Sequence, residues 1–581
     1  MVSVKNLFGM AVVATALVGC SSSDDLATDG KDNAGKTEAA YAKFTIQLPT
    51  VSGTRADDPK LGTPSFEGGT ADEYAVKDAQ LVIFQKSGTS EGEYTYVETV
   101  NIGNLEPWTD NTPNTGVTRY ANITAQLNGV SLDKTGNEYY ALVILNNGSE
   151  SKVTLPITKG TTYSAWNVAT NAKGSAAFLN SDNGFYMANA PLYSTGEPTT
   201  LVPIKGVYST KAEAQKNPAT TVYVERGMAK VTIGSTTFDA NKAVEASANY
   251  NGDKVTITNW TLDVLNKSTF PVHATTGLTT KFANIWATPR FVATGSTPQR
   301  VYWGIDPNYN KTTLTTVEEC QKDFYIVDHN SNTYNGNASL AFTWSDKKTP
   351  LYCLENTFDL DNMKQGQTTR VVFKATYTPH ALASATDKTF FMIGNNTQIW
   401  TKDALKKQIT SKAKEMLNST DVVVTINTDA PLLKGGSHLL SSADVTIMDG
   451  TDDKTAAFDF ATLNTKLGLN NTEKDVNNNP TVGIKTYKNG ECYYIARIKH
   501  FNELTPWTSG QPYGTDNASF LGRYGVLRNN WYDLTVSKVS APGYPDVPVV
   551  NPNTPDDEDT KYINVEVKIL DWAKRSQSVD L

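Results

Sequence analysis

The sequence is poor in the residues from which most catalytic and metal sites are built. It contains four cysteines and five histidines in 581 residues, and neither type has the spacing of a metal site or a catalytic motif. We find no nucleophile elbow, P-loop or dinucleotide-binding glycine motif. The stretch MDGTDDK lacks the ligand order of a calcium-binding loop and is interpreted as a polar turn. The sequence therefore predicts a protein that is not an enzyme and has no cofactor or metal.

Positive charge is also scarce. The chain has 52 Lys and Arg residues against 60 Asp and Glu residues, a formal net charge of −8, and shows no basic cluster. Neutralising a phosphate backbone requires a basic stripe. We therefore expect no nucleic-acid partner.

The N-terminus has the pattern of an export signal. One lysine precedes an apolar run that is too short to span a bilayer and leads through small residues to Cys20. The sequence LVGC resembles the lipobox of bacterial lipoproteins, which implies a signal peptide at residues 1–19 and a lipid on Cys20. The polar, acidic stretch that follows cannot order itself and is interpreted as a tether, either a plain linker or a surface-export tag.

The three other cysteines give little information about fold or function. Cys320, Cys353 and Cys492 are an odd number and lack C-x-x-C spacing. We interpret them as buried free thiols, with one disulfide pair left open.

Most of the chain shows the two-residue alternation of β-strands, separated by clusters of Gly, Asn, Asp, Ser and Pro. The predicted fold is mainly β, with antiparallel sandwiches and few short helices. The clearest helix lies in TKDALKKQITSKAKEMLN, with Thr401 as its cap and an apolar stripe that packs on a sheet. We expect an N-terminal domain at 56–236 and a C-terminal domain at 237–539. A proline-rich acidic arm at 540–560, extended and not packed, and a tail at 561–581 follow.

Two strand patterns, one near each end of the chain, are candidates for assembly. Phe44, Ile46 and Leu48 share one face of a strand that precedes the first arginine of the chain, Arg55. In the tail the same alternation places four apolar residues on one face: Ile563, Val565, Val567 and Ile569. The alternatives are that Arg55 is an ordinary surface arginine and that the tail is simply the last strand of its own domain.

Several further segments, in order along the chain, resemble the type V pilin, or fimbrilin, family of Bacteroidales, in particular the major subunits of short (minor) fimbriae. Each segment is a weak indicator alone, but their order is fairly specific. The segments are NGFYMANAPLY at 183–193, VYVERGMAKVTI at 222–233, VTITNWTLDVLNKSTFPV at 255–272, LYCLENTF at 351–358, TTRVVFKATY at 368–377 and YGVLRNNWYDLTVSKV at 524–539.

The resemblance implies two transthyretin-like β-sandwich domains and a lipoprotein precursor delivered to the outer membrane. It further implies that an arginine-specific protease cuts between Arg55 and Ala56 and so removes residues 20–55. The vacated groove then takes the C-terminal strand of another copy, in a polymer with accessory anchor and tip subunits. The residues after DW in the tail are less apolar than expected of such a strand, which leaves the extent of the donor open.

Two other functions remain open from the sequence. The chain could be a monomeric surface lipoprotein, anchored at Cys20, that binds glycans or host proteins. A glycosidase requires two convergent carboxylates, which sixty Asp and Glu residues do not exclude.

Overall fold

The computed structural model describes residues 39–49, 69–105, 109–110, 117–132, 138–149, 151–245, 249–283, 291–292, 299–328, 331–474, 480–501, 520–556 and 563–570. The fold is mainly β with few short helices, as the alternation predicts. The transthyretin-like topology stays a prediction.

The N-terminal part is built on one nine-stranded sheet, with strand order β3-β2-β6-β7-β10-β1-β5-β4 and β9 beside β6. The sheet curves, so that Glu98 on β3 accepts hydrogen bonds from the backbone N–H groups of Asn128 and Gly129, just after β5. The strands are β1 Ala40–Pro49, β2 Ala79–Gln85, β3 Thr95–Gly103, β4 Thr109–Asp110, β5 Val117–Leu127, β6 Tyr139–Leu145, β7 Met187–Asn189, β8 Leu192–Tyr193, β9 Val202–Pro203 and β10 Thr220–Arg226. The helices are α1 Ala71–Tyr74, α2 Tyr163–Trp166, α3 Ser175–Leu179 and α4 Lys211–Lys216.

Strands β2 and β6 carry apolar residues on both faces, which is the pattern of strands covered on two sides. Leu81 and Ile83 point into a core shared with β1, β5 and β10. Val82 and Phe84 point into a second core that includes Val272, from beyond the sheet. The N-terminal sheet is therefore packed on one side against the rest of the molecule.

The C-terminal part is a sandwich of two four-stranded sheets, ordered β17-β11-β28-β29 and β12-β13-β18-β27. Their facing side chains, among them Trp260, Phe373 and Tyr532, form one buried core. The strands are β11 Ala229–Ile233, β12 Lys242–Ala243, β13 Lys254–Asp263, β14 Leu265–Asn266, β15 Gln299–Arg300, β16 Phe324–Tyr325, β17 Leu351–Cys353 and β18 Arg370–Thr378; those after the insertion described below are β27 Glu491–Arg497, β28 Trp531–Val539 and β29 Ile563–Leu570. Two helices, α5 Leu278–Lys281 and α6 Val317–Asp323, lie between strands.

An α/β insertion with its own core separates β18 from β27. Its helix α7, Lys402–Leu417, is capped by Thr401 and buries Leu405 and Ile409, as the sequence predicts. A second helix, α8, spans Phe460–Lys466. The strands are β19 Phe390–Ile393, β20 Val422–Ile426, β21 Gly436–His438, β22 Val445–Asp449, β23 Asp452–Asp453, β24 Asn470–Lys474, β25 Pro480–Val482 and β26 Ile484–Tyr487.

The proline-rich arm differs from its prediction. Through Asp556 it is packed and not free, because Val547, Val550 and Asp556 are all buried. The expectation of an unpacked arm at 540–560 is therefore wrong for residues 540–556, whereas 557–560 lie outside the described residues. The cause is a set of side chains on β18 and β27 that bind the arm's backbone.

The chain passes from the N-terminal sheet to the C-terminal sheet at Gly227–Met228, between β10 and β11. This crossing comes earlier than the boundary expected at residue 236. Cys320, Cys353 and Cys492 are buried free thiols, and burial raises the pKa of each to about 12.

Candidate assembly site

Strand β1 occupies an interior position of the N-terminal sheet. It runs parallel to β10, with Phe44 opposite Thr220 and Ile46 opposite Val222. On its other edge it runs antiparallel to β5 over its whole length. Both edges of β1 are therefore hydrogen-bonded.

The side chains of β1 alternate between the core and the outer face. Phe44, Ile46 and Leu48 are at most 1% exposed, and Ala40 and Ala42 are fully buried in the same core. Sequence reasoning named the three large residues and missed the two alanines, although the alternation in AYAKFTIQL extends to them. Burying the three large side chains contributes roughly 5 to 9 kcal/mol of gross apolar stabilisation.

Polar contacts hold β1 at one edge and on its outer face. On the edge away from β5, the backbone groups of Tyr41 exchange two hydrogen bonds with those of Tyr208, at 2.7 and 2.9 Å. The Lys43 ammonium donates to the carbonyl of Gln215 at 3.2 Å, and the Thr45 hydroxyl donates to the Asn122 side chain at 2.7 Å. Both faces and both edges of β1 thus stabilise its place in the sheet.

Strand β1 joins two parts of the sheet that otherwise do not pair with each other. The order places β10 on one side of it and β5 on the other. Its removal would leave two rows of unpaired backbone groups and an apolar slot, which we call the β1 slot. Unpaired strand edges and exposed apolar surface both favour the entry of another strand.

The last described strand, β29, has a different position. It pairs antiparallel with β28, with Leu534 opposite Val567 and Val539 opposite Ile563, and it forms the edge of its sheet. The backbone of Ile563, Val565, Val567 and Ile569 is therefore placed in a strand. The structure does not describe the side chains of these four residues. It describes neither the backbone nor the side chains of Cys20, Arg55 and Ala56.

Buried ionic contacts join the N-terminal sheet to the C-terminal sandwich. The Glu73 carboxylate on α1 lies 2.6 Å from the Lys230 ammonium on β11 and accepts a hydrogen bond from Tyr352 at 2.6 Å. Burial raises the pKa of Glu73, but the hydrogen bonds from Lys230 and Tyr352 outweigh it and lower the pKa below its ordinary value. The N-terminal sheet and the C-terminal sandwich are thus held together by a charge pair shielded from water.

A second buried polar contact between the two parts centres on a histidine. His273 Nδ1 lies 2.8 Å from the Glu225 carboxylate on β10, and its Nε2 lies 3.7 Å from the Glu355 carboxylate. Arg528 approaches the other oxygen of Glu355 at 3.3 Å. Residues of the N-terminal sheet and of the C-terminal part therefore meet in one buried cluster of polar and charged side chains.

Among the described residues, no group of three or more His, Cys, Asp or Glu side chains is arranged to hold a metal ion. Nor does any helix in the described ranges have the length and apolar character needed to cross a bilayer.

Residues 485–578 match the family model described as the C-terminal region of fimbrillin, the type IV major fimbrial subunit protein. This confirms the resemblance noted in the sequence, and the matched range contains β27, β28 and β29. A search among curated proteins gave no match.

Solved structures similar to this chain include proteins of Parabacteroides distasonis and Porphyromonas gingivalis. A candidate cell adhesion protein of Parabacteroides distasonis is 10% identical, covering 92% of this chain and 99% of its own, with a TM-score of 0.35. A fimbrial assembly protein of the same species is 12% identical, covering 58% and 84%, with a TM-score of 0.25. The tip fimbrial protein Mfa3 of Porphyromonas gingivalis, with C-terminal truncation, is 11% identical, covering 92% and 100%, with a TM-score of 0.25.

Proposed function

We propose that this chain is a structural subunit of a surface fimbrium that polymerises by donor-strand exchange and supports adhesion and biofilm formation. The observation that carries the proposal is the position of β1, an interior strand with a fully buried face. The match of residues 485–578 to a fimbrial family supports the same class of function.

In this proposal the precursor is a lipoprotein attached to the outer membrane through Cys20. An arginine-specific protease cuts between Arg55 and Ala56, six residues beyond the end of β1. The segment 20–55 then serves as both anchor and plug, since a single cut detaches the subunit from its lipid and frees β1 to leave.

The donor is the tail at 561–581, whose Ile563, Val565, Val567 and Ile569 repeat with the period that the β1 slot requires. Strand addition obtains affinity from backbone hydrogen bonds and specificity from alternate side chains. Because the slot and the tail are different surfaces, the contact is heterologous and generates an open polymer. Copies of the same chain are its main partners, with accessory anchor and tip subunits at the ends.

The test compares the N-terminus and the assembly state of surface material sheared from cells and separated by size. We expect Ala56 as the first residue in the high-molecular-weight fraction. Arg55→Ala should abolish both the new N-terminus and the polymer, whereas Lys60→Ala, a matched loss of a nearby basic residue, should leave both unchanged. A polymer of normal yield from Arg55→Ala would contradict the proposal.

One observation favours a second function, that of a monomeric anchored lipoprotein binding glycans or host proteins. In the described part of the uncut chain, β1 already fills its place in the N-terminal sheet and β29 already pairs with its own β28. This function predicts a lipidated Cys20 on a monomer and no polymer in the same fractions.

A further inference from the structure

The proline-rich arm is bound to the C-terminal sandwich along its length. The hydroxyls of Tyr494 and Tyr487 donate to the carbonyls of Ala541 and Gly543, at 3.0 and 2.8 Å. Tyr544 exchanges two backbone hydrogen bonds of 2.8 Å with Tyr493. A Cβ on Gly543 would lie 2.2 Å from the Tyr493 carbonyl oxygen, so this approach requires glycine.

Two buried arginines continue the attachment. Arg370 on β18 and Arg497 on the neighbouring strand β27 lie directly opposite each other, and they are 1% and 4% exposed. Arg370 donates to Asp263 at 2.7 Å and to the Pro548 carbonyl at 2.5 Å. Arg497 donates to the Asp556 carbonyl at 3.0 Å. Hydrogen bonds from charged donors are roughly twice as strong as neutral ones.

The attachment ends at Asp556. This residue is fully buried, and its carboxylate accepts a hydrogen bond from the Thr368 hydroxyl at 2.9 Å. Its backbone N–H donates to Met363, and Gln365 donates to Thr554, so that Lys364 and Pro555 form an antiparallel bridge. Unseating Asp556 would leave the buried donors of Thr368 and Arg497 without these acceptors, and an unsatisfied buried donor is strongly unfavourable.

We propose that Asp556 is the pivot of assembly: residues 540–556 remain seated on their own subunit, and only the chain beyond Asp556 leaves to enter the neighbour. The inference rests on the proposed strand exchange and adds to it where the moving part begins. Arg370 and Arg497 act as positioning residues, because they hold the base of the donor strand.

The pivot limits how subunits meet. Ile563 lies seven residues beyond Asp556, and seven extended residues reach at most roughly 25 Å. The β1 slot of the acceptor must therefore approach the end of the donor sandwich where Arg497 and Asp556 lie. The partner that fits this surface is the N-terminal sheet of a second copy of the chain.

The experiment uses two disulfide cross-links, each formed in the uncut chain before cleavage by a protease that cuts after arginine. Lys364→Cys with Pro555→Cys fixes the arm to its sandwich, and Asp533→Cys with Lys568→Cys fixes β29 to β28. Residues directly opposite in antiparallel strands have Cα atoms about 4.5 to 5.5 Å apart, which suits a disulfide. The reduced form of each variant is its matched control.

We expect the variant with the oxidised 364–555 cross-link to give a polymer yield within about twofold of that of its reduced form. The variant with the oxidised 533–568 cross-link should give no polymer until it is reduced. Loss of polymer specifically in the oxidised 364–555 variant would show that the arm must unseat, and would overturn the pivot. Normal polymer from the oxidised 533–568 variant would instead refute strand exchange itself, and the pivot with it.

Hydrogen exchange on the unmodified chain gives a second measurement that does not depend on the cysteine variants. Polymerisation should leave the protection of residues 541–556 unchanged while it alters that of residues 563–570. Loss of protection across 541–556 on polymerisation would overturn the pivot.

Discussion

The first and the last described strands are held in opposite ways. Strand β1 has a partner on each edge and a face that is fully buried. Among the described residues, strand β29 has a partner strand on one edge and stands at the border of its sheet. The backbone hydrogen bonds of β29 can therefore be broken without dividing its sheet, whereas breaking those of β1 divides the N-terminal sheet.

This difference explains why the proposed assembly needs a protease at one end of the chain and none at the other. An interior strand leaves only at the expense of the core that it shares, so cleavage must make its departure irreversible. An edge strand exchanges one set of backbone hydrogen bonds for another and can gain a second partner strand in the slot. This difference between β1 and β29 sets the direction of the proposed assembly.

The largest expected effect tests how firmly β1 is held. Phe44→Ala in the uncut chain should lower the free energy of unfolding of the N-terminal part by about 3 to 5 kcal/mol, since a buried phenyl ring is lost and a cavity remains. Native-state hydrogen exchange of the β1 and β5 amides, followed as a function of denaturant, measures this change in the N-terminal part.

The matched control is Gln47→Ala on the outer face of the same strand, which should change the same quantity by less than about 0.5 kcal/mol. Equal losses for the two variants would mean that β1 is held by its backbone alone, and the contrast with β29 would disappear.

The sequence predicts the part of this comparison that depends on alternation. Phe44, Ile46 and Leu48 share a face in the sequence and share a core in the structure, because a period of two is a local property of the strand. The capped helix at Lys402–Leu417 is predictable for the same reason. Alanine carries too weak an apolar signal for Ala40 and Ala42 to be recognised.

What the sequence does not predict depends on distant partners. The arm at 540–556 has the composition of a free linker, yet Arg370 and Arg497 bind it from strands more than 50 residues earlier in the chain. The Glu73–Lys230 pair likewise joins residues that no local pattern relates. The composition of a segment indicates its local conformational preference. It does not indicate which buried hydrogen-bond donors elsewhere in the chain bind that segment.

A second prediction concerns pH. It distinguishes the apolar burial that holds β1 from the contribution of titrating side chains to the free energy of unfolding. Glu91, at the turn between β2 and β3, accepts hydrogen bonds from Thr200 and Leu201, and burial raises its pKa from 4.5 to about 7. Below pH 4.5 the folded and unfolded states both bind the proton. Between about 4.5 and 7 only the unfolded state releases it, so the stability present at low pH is lost as the pH rises.

Glu91→Gln should remove most of this slope and stabilise the protein above pH 7 by about 3 to 3.5 kcal/mol, since one pKa unit corresponds to about 1.4 kcal/mol. The amide keeps one acceptor for the backbone N–H groups and can donate to the Thr200 hydroxyl. Asp78, whose pKa burial also raises, accounts for a small remaining slope. The buried face of β1 is entirely apolar, so it contributes no pH dependence of its own. An unchanged slope in Glu91→Gln would contradict this assignment of the pH dependence.

The smallest effect concerns β29 and completes the comparison. A chain ending at Tyr562 loses the eight residues of β29 and their backbone hydrogen bonds to β28. This loss is partly offset because the conformational entropy of ordering the strand is no longer lost on folding. We expect the C-terminal sandwich to stay folded and to lose only about 1 to 2 kcal/mol of unfolding free energy in denaturant titration. The same truncation should abolish polymer formation after cleavage. A loss as large as that of Phe44→Ala would show that β29 is a structural strand of its own domain, and would remove the energetic basis for its exchange.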